Sequence, residues 1–128
     1  MFEDNAEYGY GMYIANQVKR NRLADKIGAV LSEDTGSPET QKLLQDWLDH
    51  KEEGEGTQQR AGKLKAALSQ ETSSQLQALL DDQNLFAKPS QWLIGGDGWA
   101  YDIGFGGVDH VLASGEDVNI FVMDNELY

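Results

Sequence analysis

The chain has 128 residues, with 22 acidic against 10 basic side chains and a formal net charge of −12 at pH 7. This balance argues against nucleic acid as a partner, because binding to phosphate backbones depends on Lys and Arg. No apolar run is long enough for a membrane span, and the absence of cysteine excludes disulfides, thiol catalysis and iron–sulfur ligation by these residues. We expect a cytoplasmic protein whose partners are small molecules, metal ions or other proteins.

Charge and glycine content change near residue 89. Residues 1–88 contain all 10 basic side chains, whereas residues 89–128 contain seven acidic side chains, seven of the 14 glycines and no base. We predict that residues 1–90 are mainly helical and that residues 91–128 form a β-α-β unit. Both segments are expected to belong to one incomplete domain of a larger polypeptide.

Apolar residues recur at three- and four-residue steps in the first part of the chain, as is typical of helices. The first stripe, which predicts one long helix or two abutting ones, comprises Met12, Ala15, Val18, Leu23, Ile27, Val30 and Leu31. The stretch from Glu33 to Gly36 interrupts it. Ser37 and Pro38 then supply a capping hydroxyl and a first-turn proline for the next helix. Later apolar residues at the same spacing predict two further short helices.

Two short apolar runs, Gln91–Ile94 and Val118–Met123, predict buried parallel strands. The residues between them are numerous enough for a crossover helix, which Gly115 would end. The predicted fold class is therefore α/β, with a helical insertion followed by a parallel β-α-β unit. Because two strands do not make a finished sheet, we expect further strands from elsewhere in the larger polypeptide.

Polar residues follow both predicted strands. The first group is Gly95–Gly98 and the second is Asp124–Leu127, so that Asp97 and Asn125 are 28 residues apart, a spacing that fits one β-α-β unit. Ligands of open parallel sheets bind beyond the carboxyl ends of the strands. The glycines would let the backbone approach a bulky anion, and the start of the crossover helix would add free N–H groups.

The acidic character of this segment predicts a bound cation. Asp97, Asp124 and Glu126 would repel a phosphate unless a positive charge lay between them. Magnesium prefers oxygen ligands and commonly joins one or two protein groups to substrate phosphates. We therefore predict Mg²⁺ bound by the Asp97 carboxylate, the Asn125 amide oxygen and a nearby backbone carbonyl such as that of Leu127.

Gly-Asp-Gly followed at this distance by Asn resembles the thiamine diphosphate motif of transketolase-like and decarboxylase-like enzymes. The surrounding residues are more specific, since Gly95–Gly107 and Asp109–Asn119 resemble the thiamine diphosphate domain of pyruvate:ferredoxin (flavodoxin) oxidoreductases. Phe2–Met12 resembles the segment that precedes a helical insertion in that domain, and Gly54–Arg60 resembles part of the insertion. The resemblance covers nearly the whole chain and implies a fragment of one domain of a much longer enzyme.

The resemblance implies an oxidoreductase that decarboxylates pyruvate with coenzyme A, forms acetyl-CoA and carbon dioxide, and passes electrons through 4Fe–4S clusters to ferredoxin or flavodoxin. It implies thiamine diphosphate and Mg²⁺ as cofactors and a homodimeric parent enzyme. The cluster ligands, the glutamate that activates the cofactor and the contacts to coenzyme A and pyruvate are expected outside this chain. We therefore assign no catalytic residue here and expect the isolated chain to be inactive.

The resemblance assigns site residues only at the two strand ends. Asp97, Asn125 and the backbone carbonyl of Leu127 correspond to metal ligands; the family often has Thr at the position of Asn125, and either side chain offers an oxygen. The implied cofactor-binding residues are Gly96, Asp97, Gly98, Trp99, Asn125, Glu126, Leu127 and Tyr128.

Two alternatives remain at this point. One is another thiamine-dependent 2-oxoacid oxidoreductase that shares this domain, such as a pyruvate:NADP oxidoreductase fusion, which only the missing partner domains would distinguish. The other is an acidic, non-catalytic interaction module. That alternative predicts that Asp97 and Asn125 can be changed to Ala without loss of affinity for metal or ligand.

Overall fold

The computed structural model describes residues 5–96, residue 111 and residues 117–123, and most of these residues are helical. The elements are helices α1 (Asn5–Ser32), α2 (Pro38–His50), α3 (Thr57–Gln70) and α4 (Ser74–Leu79), a 3-10 helix (Leu80–Leu85), and strands β1 (Gln91–Gly96) and β2 (Val118–Met123). The predicted combination of a helical part with a parallel pair of strands is confirmed. The predicted crossover helix lies outside the described residues except for Val111, which is helical.

The chain divides into two compact units. Residues 17–89 form one of them, called here the helical unit. Residues 1–16 and 90–128 together form the other, called here the sheet unit. Helix α1 therefore contributes its first residues to the sheet unit and the rest to the helical unit, and the predicted division of one domain at residue 90 stays a prediction.

Helix α1 is a single helix of 28 residues, and its buried side differs from the predicted stripe. Met12 and Val18 are 55% and 44% exposed, so the first part of the stripe is wrong. Helix α1 instead buries five side chains that are spaced seven, three or four residues apart: Tyr13, Arg20, Leu23, Ile27 and Val30. No helix in the described part of the chain, α1 included, is long and apolar enough to cross a membrane.

The turn between α1 and α2 confirms the predicted interruption and helix start. Asp34 and Gly36 both have positive φ, at 55° and 98°, and a side chain at Gly36 would meet Leu76 Cδ1 at 2.7 Å. Ser37 is the N-cap of α2, and its Oγ accepts a hydrogen bond from the backbone N–H of Thr40 at 3.2 Å. Glycine at position 36 therefore allows the positive φ and also leaves room for Leu76 of α4.

The helical unit has its own hydrophobic core. Its buried members are Leu23, Ile27, Val30, Leu44, Trp47, Leu64, Leu68, Leu76, Leu79 and Phe86. The Trp47 indole is 2% exposed, and its Nε1–H donates to the carbonyl oxygen of Phe86 at 2.8 Å. Every α-helix of this unit thus contributes to one core, and the buried indole has a hydrogen-bond partner.

The two strands pair in parallel, as predicted, with Leu93 opposite Ile120 and Gly96 opposite Met123. One face of the pair, called here the inner face, packs around buried Leu93 and Val111, together with the partly buried Tyr10, Val118 and Ile120. Gly9 of α1 also lies against Leu93, because a Cβ at position 9 would clash with Leu93 Cδ2.

The opposite face of the pair, called here the outer face, is not buried, so the prediction of buried strands holds for the inner face only. Its large apolar side chains are Trp92, Ile94, Phe121 and Met123, and all of them are exposed. Burial alternates along β2 because successive residues of a strand point to opposite faces of a sheet. Nothing in the described part of the chain covers the outer face.

Candidate functional site

The carboxyl ends of the two strands form the candidate site. Gly96 and Met123 are the last residues of β1 and β2, and they are register partners in the parallel ladder. Register partners on neighbouring strands are about 5 Å apart. Both strands therefore end side by side at one edge of the sheet, which is where open parallel sheets bind ligands.

The motif residues continue directly from these strand ends in the sequence. Gly96 is described, as the final residue of β1. The other predicted cofactor-binding residues lie outside the described residues, and they are Asp97, Gly98, Trp99, Asn125, Glu126, Leu127 and Tyr128. Their binding roles stay predictions.

The predicted metal ligands Asp97, Asn125 and Leu127 likewise lie outside the described residues. Within the described part of the chain, no group of three or more His, Asp or Glu side chains is arranged to hold a metal ion. The predicted Mg²⁺ site stays a prediction for the strand ends.

The helical unit has a surface groove between α2 and α3, with a volume of about 880 Å³. Lys42, Arg60 and Lys63 line it together with Glu39 and Asp46. This mixture of charges favours neither an anionic nor a cationic ligand. We therefore assign the groove no binding function.

Arg20 is a buried cation to which the sequence analysis assigned no role. It is 1% exposed, its Nη1 donates to the carbonyl oxygen of Leu85 at 3.1 Å, and its Nη2 donates to the carbonyl oxygen of Lys51. The guanidinium also lies 5.4 Å from the centre of the Trp47 ring, within the range of a cation–π interaction. Burial lowers the pKa of Arg20, while the charge of Glu52 opposes that shift.

The contacts of Arg20 are structural, since it joins α1 to the ends of α2 and the 3-10 helix. Its position could have been recognised from spacing alone. Arg20 lies three residues before Leu23 and seven before Ile27, on the side of α1 that is buried. An arginine in register with a buried stripe is a signal for a buried guanidinium that binds carbonyl oxygens.

Glu71 is a second structural group with a perturbed pKa. Its Oε1 accepts hydrogen bonds from the Thr40 hydroxyl at 2.6 Å and from the Ser37 backbone N–H at 3.0 Å. These bonds favour the charged form and hold the pKa of Glu71 below its ordinary value, with the Thr40 hydroxyl the main cause. Glu71 thus ties the end of α3 to the start of α2.

His50, the last residue of α2, also has a structural partner. Its Nδ1 lies 2.8 Å from the carbonyl oxygen of Asp46 and 3.1 Å from the Asp46 carboxylate. The hydrogen bond to the Asp46 carbonyl is the main cause of a raised His50 pKa. Structural contacts therefore explain the pKa shifts of Arg20, Glu71 and His50, and none of the three indicates acid–base catalysis.

Comparison with known proteins identifies relatives along the entire chain, although no protein-family model matches it. The chain is 49% identical over 130 residues to a pyruvate-flavodoxin oxidoreductase of Klebsiella pneumoniae. It is 42% identical over 135 residues to a pyruvate:ferredoxin oxidoreductase of Moorella thermoacetica, and 42% identical over 130 residues to a mitochondrial pyruvate dehydrogenase (NADP⁺) of Euglena gracilis.

Each of these alignments includes 100% of the present chain but only a small part of the relative. The chain spans 11% of the Klebsiella and Moorella proteins and 7% of the Euglena protein. The resemblance to a fragment of the pyruvate:ferredoxin (flavodoxin) oxidoreductases is therefore confirmed over the full length of the chain.

Proposed function

We propose that the parent enzyme of this chain oxidatively decarboxylates pyruvate. The premise is that the chain corresponds to a segment of the pyruvate-flavodoxin and pyruvate:ferredoxin oxidoreductases. The full-length similarity to relatives with these names is the observation that carries the proposal. Coenzyme A is the acyl acceptor of the proposed reaction, and ferredoxin or flavodoxin is the electron acceptor. A homodimeric parent, 4Fe–4S clusters ligated elsewhere and a cytoplasmic location stay predictions.

Within that enzyme, we propose that this segment contributes half of a thiamine diphosphate site. The metal ligands would be Asp97, Asn125 and the Leu127 carbonyl. The turn Gly96–Trp99 would contact the diphosphate, and Asn125–Tyr128 would supply the other cofactor-binding residues. The pairing of Gly96 with Met123 supports this role, because both predicted segments continue from adjacent strand ends. The oxygen donors of Asp97 and Asn125 also suit Mg²⁺, which binds through carboxylates, amide oxygens and phosphates.

When bound, thiamine diphosphate supplies the nucleophilic carbon and the electron sink for decarboxylation. The proposed task of this chain is to hold and orient that group. Asp97 and Asn125 would bind the cation, which offsets the repulsion between the diphosphate and the acidic side chains. Gly96 and Gly98 would allow the backbone to approach the diphosphate closely. The groups that act on pyruvate belong to the rest of the parent polypeptide.

A pyruvate dehydrogenase that uses NADP⁺ is the second candidate for the parent enzyme. The 42% identity to the Euglena gracilis protein over the whole chain favours it specifically. This candidate requires the same half-site from the present segment and differs only in the electron acceptor. Assay of the parent enzyme with NADP⁺ and with flavodoxin or ferredoxin would distinguish the two.

Isothermal titration of the chain with thiamine diphosphate tests the half-site directly. We expect saturable binding in the presence of Mg²⁺. This binding should disappear without the metal and in Asp97→Ala, because residues 89–128 contain no lysine or arginine that could replace the cation. The matched control, Asp81→Ala, removes one exposed carboxylate from the helical unit and should leave the titration unchanged.

The contrary result is equally specific. A chain that is folded by circular dichroism but does not bind thiamine diphosphate with Mg²⁺ would exclude a half-site formed by this segment alone. Binding that survives Asp97→Ala would exclude Asp97 as a ligand of the metal. Indifference to both Mg²⁺ and the cofactor would favour the acidic interaction module instead.

A further inference from the structure

Helix α1 carries two glycines in its first turns, Gly9 and Gly11, and their surroundings differ. Gly9 is buried, and a Cβ at this position would clash with Leu93 Cδ2 of β1. Gly11 is exposed, and a Cβ there would meet no atom of the described residues within 4 Å beyond its own stretch of helix. The contact that excludes a side chain is therefore at Gly9.

Close approach, rather than backbone conformation, explains the glycine at position 9. Glycine destabilises the interior of a helix relative to alanine, because it has more backbone freedom to lose on folding. Its usual advantage, a positive φ, is not used here, since residue 9 lies within the α-helix. What Gly9 provides is space, because the Leu93 side chain occupies the volume that a Cβ would need.

Leu93 has little freedom to turn away from a side chain at position 9. It is 7% exposed, and the inner face packs around it with Val111, Val118 and Ile120. Close-packed interiors have few voids into which a side chain can turn, and they transmit strain to their surroundings. A Cβ at position 9 would therefore push β1 away from α1.

A displacement of Leu93 reaches both strand ends. Leu93 precedes Gly96 on the same strand, at a distance of roughly 10 Å for extended backbone. Leu93 is also the register partner of Ile120, and the same parallel ladder joins Gly96 to Met123. Because the paired strands are packed and hydrogen-bonded together, the ends of β1 and β2 would both shift.

We propose that Gly9 is a positioning residue for the cofactor half-site. By setting the distance between α1 and β1, it determines the position of the strand ends Gly96 and Met123. The segments with the predicted ligands Asp97 and Asn125 continue from those ends. The inference rests on the proposed function, which assigns these segments to thiamine diphosphate and Mg²⁺. Binding groups must be held within about 0.5 Å of their productive geometry, so a small shift of the strand pair is enough to weaken the site.

The test compares Gly9→Ala with Gly11→Ala, a matched control that makes the same change on the same helix. Both substitutions raise helix propensity equally, so this contribution cancels. Thiamine diphosphate is titrated into each full chain in the presence of Mg²⁺. We expect the affinity to fall about tenfold or more in Gly9→Ala and to stay within about twofold of the wild type in Gly11→Ala. Equal affinities of the two variants would overturn the proposal.

A second readout follows the position of the strands without the cofactor. In amide NMR spectra of the ligand-free chain, we expect Gly9→Ala to shift the signals of both strands as far as Gly96 and Met123. Gly11→Ala should leave the signals of Gly96 and Met123 in place. Leu64 and Leu68, in the core of the helical unit, provide reference signals that should not move in either variant. Unmoved Gly96 and Met123 signals in Gly9→Ala would contradict the positioning role.

Relief of the clash separates positioning from a loss of folding. Leu93→Val shortens the side chain and removes Cδ2, the atom that a Cβ at position 9 would meet. Alone, Leu93→Val should weaken binding, because it loosens the inner face. Combined with Gly9→Ala, it should instead strengthen binding relative to Gly9→Ala and return the Gly96 and Met123 signals toward their wild-type positions. If a folded double variant binds no better than Gly9→Ala, the proposal is wrong, even where Gly9→Ala itself fails to fold.

The proposed function fails in a different way. A wild-type chain that does not bind thiamine diphosphate counts against the half-site, and the Gly96 and Met123 signals of Gly9→Ala still decide whether Gly9 positions the strand pair. Wild-type binding that is unchanged in Gly9→Ala supports the half-site and overturns the role of Gly9.

Discussion

At the scale of single residues, Arg20 shows how a charged side chain can stabilise a small helical core. The guanidinium is removed from water, but its Nη1 and Nη2 donate to backbone carbonyls that end other elements, those of Leu85 and Lys51. Without Arg20, these acceptors would lose their charged donor in a partly buried setting. An unsatisfied buried polar group costs about 1–3 kcal/mol, which exceeds the typical net contribution of a neutral hydrogen bond.

We expect Arg20→Ala to lower the free energy of unfolding of the helical unit by about 2–4 kcal/mol, since it orphans two carbonyls and leaves a cavity beside Trp47. Urea denaturation followed by far-ultraviolet circular dichroism measures the change. Arg22→Ala, an exposed arginine on the same helix, should stay within about 0.5 kcal/mol of the wild type. Equal effects of the two variants would refute a special role for Arg20.

At the scale of elements, Glu71 connects two helices through the end of one and the start of the other. The carboxylate follows α3 and accepts hydrogen bonds from the Ser37 N–H and the Thr40 hydroxyl of the first turn of α2. A negative charge at this position also interacts favourably with the positive end of the α2 dipole. The ionised form of one side chain therefore adds to the core packing that joins α2 to α3.

We expect this contact to make stability depend on pH. The folded-state pKa of Glu71 is below its ordinary value of 4.5, so its contribution is present above pH 4.5 and is lost as the pH falls through the lower folded value. Wild type should be more stable than Glu71→Gln at pH 7, and the difference should shrink below pH 4.5. The measurement is the urea midpoint of both proteins across this range.

Glu55→Gln supplies the control for this comparison, because it removes the same charge from the exposed loop between α2 and α3. The change with pH should be larger for Glu71→Gln than for Glu55→Gln. If Glu71→Gln followed the same course as Glu55→Gln, the hydrogen bonds to Ser37 and Thr40 would contribute nothing that depends on ionisation.

At the scale of the whole molecule, the described residues form two separate sets of buried contacts. The ten core residues of the helical unit all lie within residues 17–89, whereas Leu93 and Val111 centre the inner face of the strand pair. Neither core includes buried residues of the other unit. Cooperative unfolding follows shared buried contacts, so separate cores favour separate transitions.

We expect the helical unit to unfold independently of the sheet unit. In a variant with Trp92→Phe and Trp99→Phe, Trp47 is the one remaining tryptophan and reports on the helical core. Adding Ile120→Asp on the inner face should leave the urea midpoint of Trp47 fluorescence unchanged. Adding Leu68→Ala should lower the free energy of unfolding by about 2–5 kcal/mol. A shift caused by both substitutions would show that the units unfold together.

Much of the fold could be predicted from local signals. The spacing of Leu23, Ile27 and Val30 indicated a helix, and Ser37 with Pro38 marked the start of the next one. The parallel pairing of β1 with β2 followed from two apolar runs separated by a crossover-length segment. These signals are reliable because helix periodicity, capping and strand propensity depend on neighbouring residues.

The errors concerned which side of an element is buried. Met12 and Val18 have helical spacing but are exposed, whereas Arg20 is buried. The strands were predicted to be buried, but Trp92 and Phe121 are exposed on the outer face. Burial depends on what packs against an element, and periodicity alone cannot identify a neighbour that is distant in sequence.

For the candidate site, the sequence by itself determined the chemical types at the strand ends: a Gly-Asp-Gly turn, an Asn 28 residues later and no basic side chain among residues 89–128. The sequence also determined the similarity to the pyruvate oxidoreductases, because sequence identity compares the order of residues along the two chains. Only the tertiary structure decided that Gly96 and Met123 are register partners, that Arg20 is buried and that the outer face is left uncovered. These properties arise from contacts between residues far apart in the chain, which composition and local spacing do not specify.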